Sequence, residues 1–140
     1  MPSALEEARA LLGRSLDDVQ RAVGGAVPVP DDAYGAMEDV ISIAGQQGLV
    51  YLKDGHAELV YLDGDALSDV SPSSLAVEFG DPAVRLRSRA GKRANLWVDA
   101  PHGIAYSEQG GALDFVEVFR PRSQAEYETE IYLDPGPFIR

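Results

Sequence analysis

Ser15-Leu16-Asp17-Asp18-Val19-Gln20-Arg21-Ala22-Val23-Gly24 and, 56 positions later, Ser71-Pro72-Ser73-Ser74-Leu75-Ala76-Val77-Glu78-Phe79-Gly80 decide how this chain is organised. Both segments follow one pattern. A serine able to cap a helix opens each, apolar residues stand four and eight positions on (Val19 and Val23; Leu75 and Phe79), and a glycine suited to the left-handed C′ position closes each. Asp18 completes a capping-box-like Ser-x-x-Asp in the first copy, and Pro72 takes the favoured N1 position in the second. Two short helices, each with one apolar stripe, are predicted.

Similarity returns downstream at an offset of 55, where Gly48-Leu49-Val50-Tyr51 with Gly55 and Ala57 aligns with Gly103-Ile104-Ala105-Tyr106 with Gly110 and Ala112. The same offset sets Ile41 and Ile43 on Leu96 and Val98. Lys53-Asp54-Gly55-His56 reads as a hairpin between two β-rich runs, with Glu108-Gln109-Gly110-Gly111 as its counterpart. A single domain over 1–140 follows, with one repeat at 13–67 and a second at 68–119. An amphipathic helix at 3–12 precedes them, with a capping box from Ser3 and Glu6 and apolar Leu5, Ala8 and Leu12. At 120–140 a second helix uses Ser123 and Glu126 in the same way, then a Pro/Gly turn releases Phe138 and Ile139 to dock on the core. Gly24 to Asp39, with Pro28 and Pro30, reads as the loosest stretch.

The predicted fold class is α+β: two tandem α-β-β-β-like repeats forming one antiparallel sheet of about seven strands, with helices packed on one face. The apolar face is expected to take Val19, Val23, Leu75, Phe79, Leu86, Leu96 and Val98. The opposite face is then the natural binding surface.

The helix pattern Gly-x-Ser-x-x-x-Val-x-x-x-Val/Leu-Gly, followed by a meander with Gly-bearing hairpins, resembles the repeat of the SmpA/BamE outer-membrane-assembly proteins. It is also similar to the tandem version in β-lactamase inhibitor proteins of the BLIP type. Gly13-Arg14-Ser15-Leu16-Asp17-Asp18-Val19 with Val23-Gly24 carries the closer match, and the second copy keeps Ser71, Leu75, Phe79, Gly80 and Pro82. The resemblance covers residues 12–119 and implies a fold and a habit of binding proteins through the sheet. The lipid-bearing cysteine of BamE lipoproteins and the cysteines of secreted BLIP repeats are missing here.

Composition narrows the functional classes. Twelve Lys+Arg against 23 Asp+Glu give a formal charge of −11, which argues against general nucleic-acid binding because phosphate neutralisation needs a basic face. With no cysteine in 140 residues there is no disulfide framework and no thiolate nucleophile. The opening residues lack a basic n-region and an apolar h-region, and no run reaches the length of a membrane span, so a cytoplasmic protein with no membrane partner is the expectation.

Candidates for catalysis are few. His56 and His102 fall in or beside predicted turns at different repeat positions, and both read as solvated turn histidines. Asp63-Gly64-Asp65 could begin a calcium loop, but Ala66-Leu67-Ser68-Asp69-Val70 does not supply the further ligands, so it reads as a turn. Glu6-Glu7 and Asp17-Asp18 complement helix dipoles. No catalytic residue, metal ligand or cofactor is assigned, and the chain is read as a non-enzyme.

One segment stands apart. Arg85-Leu86-Arg87-Ser88-Arg89-Ala90-Gly91-Lys92-Arg93 holds five basic residues and no acid, and removing those five charges from −11 leaves the other 131 residues at −16. Its period-two alternation sets Arg85, Arg87 and Arg89 on one face of a strand and Val84 and Leu86 on the other. A three-residue loop at 90–92 pairs Arg89 with Arg93, Arg87 with Asn95 and Arg85 with Trp97, and on the reverse face Leu86 with Leu96 and Val84 with Val98. This register gathers the apolar partners on one side, as burial requires. Trp97 then lies on the arginine face, where Arg85 or Arg87 can stack on it. The competing reading pairs these arginines with the protein's own Glu78, Asp81, Asp114 and Glu117 on a solvated face.

Arginine with tryptophan suits a protein-binding hot spot. The expected function is therefore a non-catalytic acidic binding protein, of the inhibitor or immunity kind, that docks a protein partner on its exposed sheet face. Its acidic charge would accelerate encounter with a basic target. The binding residues are Arg85, Arg87, Arg89, Arg93 and Trp97, with Tyr51 and Tyr106 nearby. The alternative is a small-molecule or anion-binding protein using the same Arg/Trp face.

Overall fold

Both serine-led segments are helices, α2 (Leu16–Val23) and α3 (Pro72–Phe79), in the computed structural model of the chain. The structure describes residues 4–23, 27–28, 39–42, 48–67, 70–80, 84–88, 91 and 93–132. The caps form as the serines predict. The Asp18 amide donates to Ser15 Oγ at 3.3 Å, while Ser71 and Ser74 exchange reciprocal bonds of 2.9 and 3.1 Å, and Gly80 takes φ 79°. Before them lies α1 (Ala4–Leu11), and after the sheet α4 (Gln124–Glu130), where Ser123 and Glu126 make the full capping box. Ser3, Gly24, Pro82, the greater part of the Gly24-to-Asp39 loop and the Phe138-Ile139 tail lie outside the described residues.

Between the helices run β1 (Val27–Pro28), β2 (Asp39–Ser42), β3 (Gly48–Lys53), β4 (His56–Asp63), β5 (Val84–Arg87), β6 (Asn95–Asp99), β7 (Ile104–Gln109) and β8 (Ala112–Phe119). They form one antiparallel sheet in the order β1-β2-β3-β4-β8-β7-β6-β5. Seven strands have four residues or more, and the two-residue β1 extends one edge. Residues 13–16 clip onto the first hairpin: the Gly13 amide donates to the Ala57 carbonyl, the Ala57 amide to Arg14 and the Leu16 amide to Gly55, at 2.8, 2.9 and 3.1 Å.

The pairing of β2, β3 and β4 recurs in β6, β7 and β8 at an interval of 56 residues, whereas the edge pairs differ by one, Val27↔Ser42 against Val84↔Val98. Val40↔Tyr51 and Ile41↔Val50 correspond to Leu96↔Ser107 and Trp97↔Tyr106. Each hairpin turns on two residues with positive φ, Asp54 (53°) and Gly55 (77°) in one, Gly110 (61°) and Gly111 (87°) in the other. Each also skips one carboxylate at a bulge, Glu58 opposite Tyr51/Leu52 and Asp114 opposite Ser107/Glu108. At the sheet centre, Leu59↔Phe119 and Asp63↔Phe115 bracket Tyr61↔Glu117, so β4 and β8 meet about a local twofold.

This geometry corrects the 55-residue alignment. Tyr51 corresponds to Ser107, and Tyr106 to Val50, because a one-residue slip in a strand moves every side chain to the other face. Tyr51 accordingly belongs to one core cluster and Tyr106 to the other.

The expectation of helices on one face is also corrected, because both faces of the sheet are covered. On the first face, Leu5, Ala8 and Leu11 of α1, Val19 of α2 and Leu75 of α3 pack with Val50, Leu52, Val60, Leu62, Ile104, Val116 and Val118. On the second, Tyr127 of α4 and the following Ile131 cover Tyr51, Leu59, Leu96, Val98, Ala105, Phe115 and Phe119. Leu86, Leu96 and Val98 therefore lie opposite Val19 and Leu75, not beside them. The side chains of Val23 and Phe79 are outside the description.

α4 is fixed to its face by polar bonds as well. The Tyr127 hydroxyl donates to Glu117 Oε1 at 2.5 Å, and both residues are fully buried. Arg122 pairs with both Glu58 and Glu130 and lies over the Phe119 ring, 5.7 Å from its centroid. A buried carboxylate needs such donors, since its desolvation would otherwise oppose folding.

Candidate functional site

The basic strand pairs as its alternation requires. Val84↔Val98, Arg85↔Trp97, Leu86↔Leu96 and Arg87↔Asn95 are the observed partners of β5 and β6. On the neighbouring strand Trp97 meets Tyr106 and Asn95 meets Glu108, so two rows run across the first face: Arg85, Trp97, Tyr106, and Arg87, Asn95, Glu108. Val84 and Leu86 face the α4 side and pack half-buried against its cluster. β5 is the last strand of the sheet, which sets both arginines at the rim.

Glu108 organises this patch. Its Oε1 accepts from the Trp97 indole N–H at 3.1 Å and from Asn95 Nδ2 at 3.3 Å, and its Oε2 accepts from the Gly111 amide at 3.3 Å. The Trp97 bond is the main reason the Glu108 carboxyl is held below its usual range; burial opposes it, and the Asn95 and Gly111 bonds add to it. The indole is thus fixed by its polar edge while its body packs partly buried against the first core cluster.

The predicted residues divide. Arg85 and Arg87 are exposed beside half-buried Trp97, and Arg93 is exposed in the turn that leads into β6. Tyr106 lies at 8% exposure within the core on the same face, next to Trp97. Tyr51, at 2%, is on the other face and is not part of the patch. Arg89 lies outside the described residues. Arg85 and Arg93 enter none of the ion pairs between described residues. Two carboxylates proposed to neutralise the arginines are engaged elsewhere, Asp114 by the Ser107 hydroxyl at 2.9 Å and Glu117 by Tyr127, while Asp81 and the Glu78 side chain lie outside the description. The Arg/Trp stacking expected here is replaced by the Glu108 bond as the contact that holds the indole.

Glu108 is the residue that sequence reasoning missed. Its place in a predicted hairpin hid it, and its pairing with Asn95 depends on how the 99–103 turn returns the chain. Two other groupings invite a catalytic reading. Ser88 Oγ lies 2.6 Å from Ser107 Oγ, which donates to Asp114, but both serines are fully buried, out of reach of a substrate. His102 Nδ1 is 2.7 Å from Asp99 Oδ2 in a 3-10 turn at Ala100–His102, and His56 Nδ1 is 2.9 Å from the Asp54 carbonyl. Asp63-Gly64-Asp65 leads into a 3-10 turn at Gly64–Leu67, and among the described residues no group of His, Asp and Glu could hold a metal ion. No described helix is long and apolar enough to cross a membrane.

Compared with protein families, curated proteins and solved structures, the chain has no significant match.

Proposed function

We propose that this chain is a non-catalytic protein-binding module, of the inhibitor or immunity kind, that docks a partner through the rim of its first sheet face. The observation that supports this most is the fixed indole of Trp97 between exposed Arg85 and Arg87 and its Glu108 anchor. Tryptophan and arginine contribute most at interfaces when their geometry is set before binding, because less ordering entropy is then lost. With α4 lying over the second face, the exposed first-face rim takes the place of the open sheet face expected from sequence.

The 56-residue interval that relates α2 and β2–β4 to α3 and β6–β8 supports reading the two halves as tandem α-β-β-β-like repeats. Their likeness to the SmpA/BamE and BLIP-type repeat rests on the Gly13-to-Gly24 helix pattern, and a cytoplasmic location goes with the same proposal. Affinity capture from the native source at low salt tests it: one stoichiometric protein partner is expected, and recovery of none counts against the reading. A second reading, an anion binder at these arginines, is favoured by Arg85 and Arg93 having no ion pair with a described residue. A thermal-shift screen with phosphorylated metabolites separates the two, since a ligand at 100 times its Kd adds about 2.7 kcal/mol.

A further inference from the structure

We propose a second, independent site: the cleft between α1, the Ala100–His102 turn and the end of β8 binds a small organic anion, its oxyanion on the cations and its apolar body on the wall. The cleft measures about 310 Å³ and is lined by Arg9, Leu12, His102, Phe119, Arg120 and Pro121. Two guanidinium groups and an imidazole thus converge from segments far apart in the sequence of an acidic protein, with Asp99 and Glu58 adjoining the cleft through His102 and Arg120. Convergent polar groups beside an apolar wall are the usual composition of a small-ligand pocket.

Each of these three side chains is held in place by another group. Arg9 Nη2 donates to the His102 carbonyl at 2.7 Å, which ties α1 to the turn. His102 Nδ1 faces Asp99 Oδ2 at 2.7 Å. A carboxylate only accepts, so Nδ1 donates to Asp99 and Nε2 is the ring atom left for a ligand. Arg120 lies 3.7 Å from Glu58, which Arg122 binds more closely, so Arg120 is the more loosely held of the two guanidinium groups. Gly103 sets the turn: at φ 72° it carries His102 beside Arg120, and a Cβ there would stand 2.3 Å from the Phe119 carbonyl oxygen. Donors already held by their neighbours bind an anion more strongly than mobile ones, because less ordering cost remains.

Phenyl phosphate and inorganic phosphate are the probes, titrated into the full chain while the His102 ring and the Arg9 and Arg120 Nε–H signals are followed by NMR. Saturable shifts at these three residues are expected, with phenyl phosphate about tenfold tighter than inorganic phosphate because of the apolar wall. Arg120→Gln, at a side chain 55% exposed, is expected to weaken binding about fivefold or more with unchanged melting. Shifts that do not saturate by about 20 mM, that spread equally to Arg21 and Arg93, or that persist unchanged in Arg120→Gln would overturn the site. Because Trp97 signals are read in the same spectra, failure here leaves the protein-docking proposal separately testable.

Discussion

Replacing Gly103 by alanine separates two costs that the fold combines at one position. Its φ of 72° is left-handed, a conformation that costs a non-glycine residue about 1–2 kcal/mol. In addition, the new Cβ would stand 2.3 Å from the Phe119 carbonyl oxygen, where ordinary contact begins near 3.4 Å, so the backbone of fully buried Phe119 must retreat by about an ångström. That movement strains the 2.9 Å bond from the Phe119 amide to the Gly103 carbonyl, which contributes about 1 kcal/mol. The total loss is expected at about 3 kcal/mol or more. Gly55→Ala is the control, since its φ of 77° carries the same backbone strain with nothing within 4 Å of the added carbon. Its expected loss is about 1 kcal/mol. Urea unfolding followed by circular dichroism, at an m value of about 1.5–2 kcal/mol/M, should lower the midpoint by about 1.5 M or more for Gly103→Ala and about 0.5 M for Gly55→Ala. Equal midpoints for the two variants would refute the close approach as the reason for glycine.

Other expectations follow from the anchors of α4 and Trp97. Tyr127→Phe removes a hydroxyl that donates to buried Glu117 and should destabilise by about 1.5–3 kcal/mol at neutral pH; thermal unfolding with no change would show the bond to be dispensable. Ser123→Ala removes the α4 cap and should cost about 1 kcal/mol, read in the same way. Glu108 has a lowered folded-state pKa, so the stability it contributes is fully present above the ordinary carboxylate value of about 4.3 and is lost as pH falls through the lowered value. Trp97 emission should change in that acidic window in wild type and lack this step in Glu108→Gln.

Helix starts were legible because capping is local: Ser15, Ser71 and Ser123 each satisfy an amide three residues on. The β5–β6 register was legible because arginine and apolar residues alternate there, and only one pairing gathers Val84, Leu86, Leu96 and Val98 together. Elsewhere alternation alone does not describe the strands. Leu49-Val50-Tyr51-Leu52 and Leu59-Val60-Tyr61-Leu62 are continuous apolar runs, the mark of strands buried on both faces, and they carry the evidence that α4 and α1–α3 take opposite sides. Matching Gly48 and Tyr51 to Gly103 and Tyr106 followed residue identity, whereas hairpin geometry and the Glu58 and Asp114 bulges obey the 56-residue interval. The arginine patch was legible, but its Glu108 anchor depends on pairing across a turn whose path no local rule sets.

The docking proposal rests on Trp97 being a preorganised contact, and the affinity of the captured partner for wild type and for Trp97→Ala measures this most directly. Val77→Ser, at a position 88% exposed on α3, serves as the surface control. A loss of more than about 1 kcal/mol, roughly fivefold in Kd, is predicted for Trp97→Ala with the fold intact, and no change for Val77→Ser. Unchanged affinity in Trp97→Ala would contradict the account.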